Sequence, residues 1–157
     1  LIRAYGDSFV LREGDYCVLP FRTGYAVNLD NCGGIVLEDV SIYGSPGIGI
    51  LESGGPGGNI FRRVVITRRP RTRRLFACAS GGFQSRGMAK GALIAGCEIA
   101  HCGDDAANLH GFYGLVVHRY SPDRYAIAAK YCRPFAPGRR LGFQDFADPL
   151  RRNTRPR

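Results

Sequence analysis

The sequence lacks several features that define common protein classes. It has no stretch of about 18 or more apolar residues, which argues against a membrane-spanning helix. It does not open with the charged, apolar and small-residue segments of a signal peptide. No Cys-x-x-Cys pair is present, so a zinc ribbon is not expected. No segment shows an uninterrupted helical face, and long helices are therefore not expected either.

The chain also lacks an initiator methionine, because it begins at Leu1, and it ends in an Arg-rich stretch. We therefore expect it to be a piece of a longer protein. In that case the missing signal peptide says nothing about export. The 157 residues suit a single domain.

Acidic residues are scarce, with 13 Asp and Glu against 22 Lys and Arg, which gives a net charge of +9. Such an excess favours polyanionic partners such as nucleic acid, a membrane surface or an acidic polysaccharide. A simpler interpretation, which we prefer, is that most of the arginines lie on solvated faces.

Six cysteines are present, and none has a spacing typical of a metal site: Cys17, Cys32, Cys78, Cys97, Cys102 and Cys132. A cysteine inside β structure behaves as a small apolar filler. We favour that role over disulfide bonds, and the redox compartment stays undecided.

A repeat runs through the middle of the chain. Residues 34–42, 58–66 and 91–99 align without gaps, each with a leading Gly, apolar residues at the second and sixth places after it, and Ile at the eighth. Alternating apolar positions are typical of half-buried strands. A weaker set of strand-like runs lies between them, at residues 25–29, 48–52, 75–79 and 106–110. The repeats start 24 and then 33 residues apart, and the extra length at residues 67–74 predicts a protruding loop.

One such coil cannot bury its apolar face alone, but stacked coils bury a continuous core, with strands about 4.8 Å apart. A β-sandwich would show regular hairpin signals, which are missing. The sequence therefore predicts an all-β chain with a right-handed parallel β-helix, a solenoid, at residues 1–120. Residues 121–150 would form a strand pair or the start of a small β-barrel, and residues 151–157 a disordered tail. Two interior columns are expected: Val40, Val64 and Cys97, and Ile42, Ile66 and Ile99.

The densest polar cluster combines Asp104, Asp105, Asn108 and His110. Adjacent carboxylates raise each other's pKa, which suits general acid–base chemistry. A capped turn is the simpler alternative, because Asp bonds nearby backbone groups in turns. The combination of the Asp pair with Asn and His favours a functional site.

These residues also carry a family resemblance. Residues 103–111, Gly-Asp-Asp-Ala-Ala-Asn-Leu-His-Gly, resemble the signature of the β-helical glycosidases of glycoside hydrolase family 110, which act on α-1,3-linked galactose, and more distantly the polygalacturonases. Residues 39–47 and 69–75 are also similar to stretches of that family. The resemblance implies an inverting glycosidase, secreted or periplasmic, without a cofactor or metal. Asp104 and Asp105 would activate water, and Asn108 and His110 would hold sugar hydroxyls.

The sequence departs from that family one coil before the Asp pair. The family has Ala-Asp-Gly-x-His there, and its Asp resembles a general acid. Here Ser80 stands at the place of the acid and Gln84 at the place of the His, with Gly82 as an extra residue. A hydroxyl does not replace a carboxylic acid near neutral pH. Activity is therefore expected to be weak or absent.

A substitute acid is available in Glu52, which lies in the corresponding strand one coil further up. We expect Glu52, Ser80 and the Asp pair to line one groove in successive coils, although a merely solvated Glu52 is the simpler interpretation. Gln84 and Arg74 are further candidates for substrate binding.

An Arg cluster could hold sulfate or carboxylate groups of a glycan through bidentate contacts: Arg62, Arg63, Arg68, Arg69, Arg71, Arg73 and Arg74. The expected partner is thus an oligo- or polysaccharide, which could be anionic. A nucleic-acid partner is less favoured, since aromatic residues do not interleave the arginines, and no membrane partner is expected. Rival functions are a non-catalytic glycan-binding or structural β-helix and a polysaccharide lyase; oligomeric state is not predicted.

Overall fold

A computed structural model describes residues 12–18 and 22–129 and the strand residues 143–144 and 152–153. The chain divides into two compact units, Leu1–Phe112 and Tyr113–Arg157. Within the described residues the structure is all β. No helix there is long and apolar enough to cross a membrane.

The first unit is a stack of three parallel sheets, here called the parallel stack. The four-stranded sheet has the order β1-β4-β7-β10, and two three-stranded sheets have the orders β2-β5-β8 and β3-β6-β9. Each strand therefore pairs with the equivalent strand of the next repeat. The strands are β1 (Tyr25–Asp30), β2 (Val36–Glu38), β3 (Ser41–Ile42), β4 (Ile48–Ser53), β5 (Ile60–Arg62), β6 (Val65–Ile66), β7 (Phe83–Arg86), β8 (Leu93–Ala95), β9 (Glu98–Ile99) and β10 (Ala107–His110).

The register confirms the repeat predicted from the sequence. Ile42 pairs with Ile66, and Ile66 pairs with Ile99, all in parallel. Val36, Ile60 and Leu93 form an equivalent series in the neighbouring sheet. The columns stack because the Gly-led segments have the same length in every repeat.

One strand lies later than predicted. Residues 75–79 are not a strand but form an isolated bridge at Cys78, and β7 begins at Phe83. The reason is the long segment at residues 67–76, exposed from residue 68 onwards, which displaces the strand along the chain. That segment is the protruding loop expected from the longer spacing of the repeats.

The core lies between the three sheets. Its largest fully buried apolar side chains include Ile50, Phe61, Ile66 and Phe83. Phe61 and Phe83 meet edge to face with ring centroids 5.0 Å apart, a favourable arrangement for aromatic pairs. The predicted interior residues agree with this core: Val64, Ile42 and Ile66 are buried, and Val40, Cys97 and Ile99 are partly buried and pack against it.

Three equivalent turns have left-handed backbone: Asp39 (φ 56°), Arg63 (φ 49°) and Gly96 (φ 61°). Glycine adopts this conformation without a steric penalty, whereas the other two residues do so at some cost. Arg63 stacks beside the preceding turn and donates to Asp39 at 2.6 Å and to Glu38 at 2.8 Å. Arg62 and Arg63 are both exposed, as expected.

The second unit contains an antiparallel pair, β11 (Gly114–Ser121) with β12 (Arg124–Ala129), and a short pair, β13 (Phe143–Gln144) with β14 (Arg152–Asn153). A strand pair was expected after residue 120; the observed pair begins earlier, with β11 at Gly114, and the unit begins at Tyr113. A disordered tail was expected at residues 151–157, of which Arg152–Asn153 forms β14; the remainder of that segment lies outside the described residues.

Candidate functional site

The polar residues singled out in the sequence lie mainly on three stacked turns. These turns lead into the four-stranded sheet and comprise residues 43–47, 67–82 and 100–106; we call them the turn stack. Parallel bridges join Ser45 to Cys78 and Cys78 to Cys102, so the turns are in register. Turns carry functional residues more often than the sheets that position them.

Asp104 and Asp105 lie in the third turn and have different contacts. Arg22 donates to Asp104 Oδ2 at 3.2 Å, and Asp104 Oδ1 accepts the backbone N–H of Asp105 at 3.0 Å. Asp104 therefore has the turn-capping role of the simpler interpretation and an ion pair as well. Asp105 is exposed and accepts from Asn108 Nδ2 at 3.0 Å through its Oδ2 atom. Among the described residues its Oδ1 has no hydrogen-bond partner, so Asp105 is the more available carboxylate.

The two amide residues of the site are neighbours in the sheet. Asn108 in β10 pairs with Gln84 in β7, on the face opposite to the buried Phe83 and Ser85. Both are partly exposed. The structure thus brings Gln84 next to Asn108 and, through it, to Asp105.

His110 follows on the same face and pairs with Arg86. Its Nδ1 lies 2.8 Å from the carbonyl oxygen of Gly111. Since a carbonyl only accepts, Nδ1 carries the hydrogen, and in the neutral ring Nε2 is then an acceptor. His110 could hold a ligand hydroxyl through that atom.

Ser80 lies in the middle turn, beside the Asp pair. Two backbone bonds bracket it: Gly103 N–H donates to Cys78 O at 2.9 Å and Gly82 N–H donates to Asp105 O at 3.0 Å. Ser80 and the Asp pair therefore occupy matching places in successive turns, as the sequence predicts.

The extra glycine, Gly82, lies close to β9 and to the third turn. A Cβ atom there would collide with Ile99 Cγ2 and lie 2.8 Å from Ala106 O and 2.9 Å from Cys102 Sγ. These distances are shorter than van der Waals contact. The position thus accommodates glycine alone without movement of the neighbouring turn.

Glu52 is not part of this site, and the predicted groove of Glu52, Ser80 and the Asp pair is wrong in that respect. Its register partner in β7 is Ser85, several residues beyond Ser80. The side chain is 0% exposed, so the interpretation as a solvated Glu is wrong as well. The physical reason is strand alternation: Glu52 shares the inward face of β4 with Ile50.

A buried polar network satisfies Glu52. Ser85 Oγ donates to its Oε1 at 2.5 Å, and Asn59 Nδ2 donates to its Oε2 at 2.8 Å. Asn59 Oδ1 in turn accepts the backbone N–H of Ile35 at 3.0 Å. The network links three repeats. Sequence reasoning missed Asn59 and Ser85, although Ser85 alternates with the apolar Phe83.

A cleft of about 660 Å³ adjoins the first two turns. Arg73 and Arg74 of the protruding loop lie on its wall: Arg73 Nη1 donates to Tyr16 Oη at 2.9 Å, and Arg74 Nη1 donates to Tyr43 O at 3.2 Å. The lining also includes Ser45, Pro46, Leu75 and Phe76. The predicted binding residue Arg74 is thus at a concave surface, in the same turn as Ser80.

The thiols and acidic groups give little indication of metal or thiol chemistry. In the part of the chain that the structure describes, no three His, Cys, Asp or Glu side chains cluster as metal ligands would. The five described cysteines are free thiols, and Cys132 lies outside the described residues. Burial, and then the neighbouring Cys102, raise the pKa of the Cys78 thiol to about 12. Such a thiol is a poor nucleophile at neutral pH.

The turn stack and the adjoining sheet face therefore bring together Asp104, Asp105, Asn108 and Gln84, with Ser80 beside them, and leave Glu52 in the core. No protein-family model, no curated protein and no solved structure matches this chain. The functional interpretation accordingly depends on the geometry of the turn stack.

Proposed function

We propose that this chain is a glycan-processing protein built as a right-handed parallel β-helix, and that it is an inverting glycoside hydrolase for α-galactoside-like or other polysaccharide linkages. Three in-register parallel sheets with stacked turns support the β-helix. The exposed Asp105 carboxylate, oriented by Asn108, is the observation that carries the enzymatic proposal. Secretion or export to a periplasm is part of the same proposal.

In the proposed reaction Asp105 accepts a proton from a water molecule, and the water oxygen attacks the anomeric carbon as the glycosidic bond breaks. Arg22 balances the charge of Asp104, which keeps a second carboxylate next to Asp105 at lower cost. Asn108, Gln84 and His110 provide amide and imidazole groups for sugar hydroxyls. The departing oxygen takes its proton from bulk water, because the Ser80 hydroxyl is a poor acid near neutral pH.

This scheme makes a natural glycoside a slow substrate and an activated one a better substrate. Nitrophenolate leaves without protonation, so a nitrophenyl α-galactoside should be hydrolysed disproportionately well by the native chain. Ser80→Asp should raise the rate on a natural α-galactoside by up to about 10²–10⁴, the range of general acid catalysis. Asp105→Asn should abolish hydrolysis of both substrates.

Two controls accompany these variants. Glu98→Gln removes an exposed carboxylate of β9 and should leave both rates unchanged. Glu52→Gln should also leave the nitrophenyl rate unchanged, since Glu52 is in the core. Inactivity of every variant, Ser80→Asp included, would end the hydrolase proposal.

A non-catalytic glycan-binding or structural β-helix is the second candidate. The observation that favours it is the position of Ser80 in the turn next to the Asp pair, since the place expected for the acid has no carboxyl group. Binding of galactosides without turnover, unchanged by Ser80→Asp, would support it. A polysaccharide lyase is the further alternative. Cleavage of a polysaccharide by β-elimination, abolished by a chelator, would favour it.

A further inference from the structure

The protruding loop carries a concentration of positive charge without acidic partners. The guanidinium groups of five arginines are exposed there: Arg68, Arg69, Arg71, Arg73 and Arg74. The ion pairs between described residues involve other groups, namely Arg22 with Asp104 and Arg63 with Glu38 and Asp39. Like charges held together in this way attract anions from solution.

Two of these arginines are held in place by neutral groups. Arg73 donates one N–H to the Tyr16 hydroxyl, and Arg74 donates one to the Tyr43 carbonyl. Gly44 makes room for Arg74, because a Cβ atom at Gly44 would collide with its Nη1. A guanidinium has five N–H donors, so both groups are positioned while they keep their charge and most of their donors.

The same two arginines line the cleft of about 660 Å³, a volume within the usual range of about 300–1,000 Å³ for small-ligand sites. The cleft also has apolar surface from Leu75 and Phe76, which are 38% and 37% exposed. Apolar walls with a few fixed polar groups are typical of small-molecule sites. An anionic sugar would place its ring against the apolar wall and its anionic group on the guanidiniums.

The cleft is in line with the Asp pair. Ser45, which lines it, is bridged to Cys78, and Cys78 is bridged to Cys102, two residues before Asp104. Successive turns are one strand spacing apart, about 4.8 Å. A glycan that runs along the turn stack could therefore occupy the cleft and reach Asp105.

We infer that this cleft is a subsite for an anionic sugar unit, and that Arg73 and Arg74 bind its sulfate or carboxylate group. The inference rests on the proposed glycan-processing function, which it narrows to anionic substrates. Arg forms bidentate hydrogen bonds with either anion. A sulfated sugar and a carboxylated sugar share this chemistry, and the probes described below distinguish them.

The test is isothermal titration calorimetry with the full chain at about 0.15 M salt, where nonspecific charge effects are partly screened. The probes are a sulfated galacto-oligosaccharide, an oligogalacturonate and the neutral galacto-oligosaccharide of equal length. We expect tighter binding of an anionic probe than of the neutral one. Arg74→Gln and Arg73→Gln should each weaken that binding by about tenfold or more, as expected for a charge-assisted hydrogen bond.

Arg62→Gln is the matched control, because it removes the same charge from an exposed residue of β5 outside the cleft lining. It should change the affinity less than about twofold. Arg74→Lys keeps the charge without the bidentate geometry and should restore only part of the affinity. Equal affinity for the neutral and anionic probes, or equal losses in Arg62→Gln and Arg74→Gln, would overturn the inference.

Two further outcomes separate this inference from its premise. If the chain binds the anionic probe through Arg74 but hydrolyses no galactoside, the subsite is supported and the hydrolase proposal is rejected. If the chain hydrolyses galactosides but shows no Arg74-dependent binding, only the subsite is rejected. Tighter Arg74-dependent binding of a single-stranded oligodeoxynucleotide would replace the sugar with nucleic acid and overturn the assignment.

Discussion

The interior of the four-stranded sheet and the turns that lead into it both contain carboxyl groups, in opposite environments. Glu52 is 0% exposed and meets two neutral donors, Ser85 and Asn59. Asp104, by contrast, has a side chain 45% exposed and an ion pair with Arg22, and Asp105 beside it is exposed. The interior group is fully satisfied by the fold, whereas the turn keeps a carboxylate oxygen available to a ligand.

The difference separates a carboxyl group that the core needs from carboxyl groups that it does not need. A polar group inside the core is tolerated only when its hydrogen bonds are complete, and completing them fixes the register of the repeats. The exposed carboxylate of Asp105 on the turn stack lies outside the core and stays accessible to a ligand. A substitution of Glu52 should accordingly lower stability, whereas a substitution of Asp105 should lower activity and leave stability nearly unchanged.

The largest expected effect on stability is that of Glu52→Ala. The change leaves Asn59 Nδ2 and the Ser85 hydroxyl without their acceptor in the core, and each such group costs about 1–3 kcal/mol. We expect the free energy of unfolding, measured with urea, to fall by about 2–5 kcal/mol. Glu52→Gln should lose much less, because its amide can accept from Asn59 and donate to Ser85.

The matched surface changes are Glu98→Ala and Asp105→Asn. Both residues are exposed, and substitutions of this kind usually change stability by no more than about 0.5 kcal/mol. A loss in Asp105→Asn comparable to that in Glu52→Ala would mean that the Asp pair is structural, and the comparison of the two regions would no longer hold.

The sequence was sufficient for the repeat but not for the position of Glu52. Ile42, Ile66 and Ile99 share a column because each segment repeats the same alternation, which is a local signal. The partners of Glu52 are not local: Asn59 is 7 residues away and Ser85 is 33 residues away. The neighbouring Leu51 is also apolar, so alternation alone could not show which side of β4 faces the core.

In the candidate site, too, the sequence predicts the local contacts but not the distant ones. The short spacing of Asp105 and Asn108 already predicts that they lie close together, and the structure joins them by a hydrogen bond at the beginning of β10. Arg22 could not be predicted as the partner of Asp104, because it lies 82 residues earlier in the chain. Contacts of this kind depend on how the strands stack, which no local pattern encodes.

A second prediction separates two adjacent glycines of the turn stack. Gly82→Ala places a methyl group against Ile99, Ala106 and Cys102, whereas a Cβ atom at Gly81 meets only Asp105 O at 3.3 Å. We expect Gly82→Ala to lower the unfolding free energy by about 1–3 kcal/mol, as overpacking does. Gly81→Ala should have a clearly smaller effect in the same urea titration. Equal effects would show that the turns do not pack as closely as the core does.

The smallest expected effect concerns an exposed carboxyl group, Asp39, which tests whether surface contacts of the parallel stack contribute to stability at all. The hydrogen bond from Arg63, with its positive charge, lowers the pKa of Asp39 below the ordinary value of 3.8. A lowered pKa means that the stabilisation is complete above about pH 4 and is lost as the pH falls through the folded-state pKa. Arg63→Gln should return the pKa of Asp39 towards 3.8, as measured by NMR titration of its carboxyl carbon, and should make acid unfolding slightly less steep.

Two controls accompany this measurement. Arg62→Gln changes the adjacent arginine and should leave the pKa of Asp39 lowered. Asp123 in the second unit has its pKa lowered by the Ser121 hydroxyl, so its pKa should stay lowered in Arg63→Gln. If the pKa of Asp39 stays lowered in Arg63→Gln, the ion pair does not form in solution, and the turns of the parallel stack are joined by their backbone bonds and core alone.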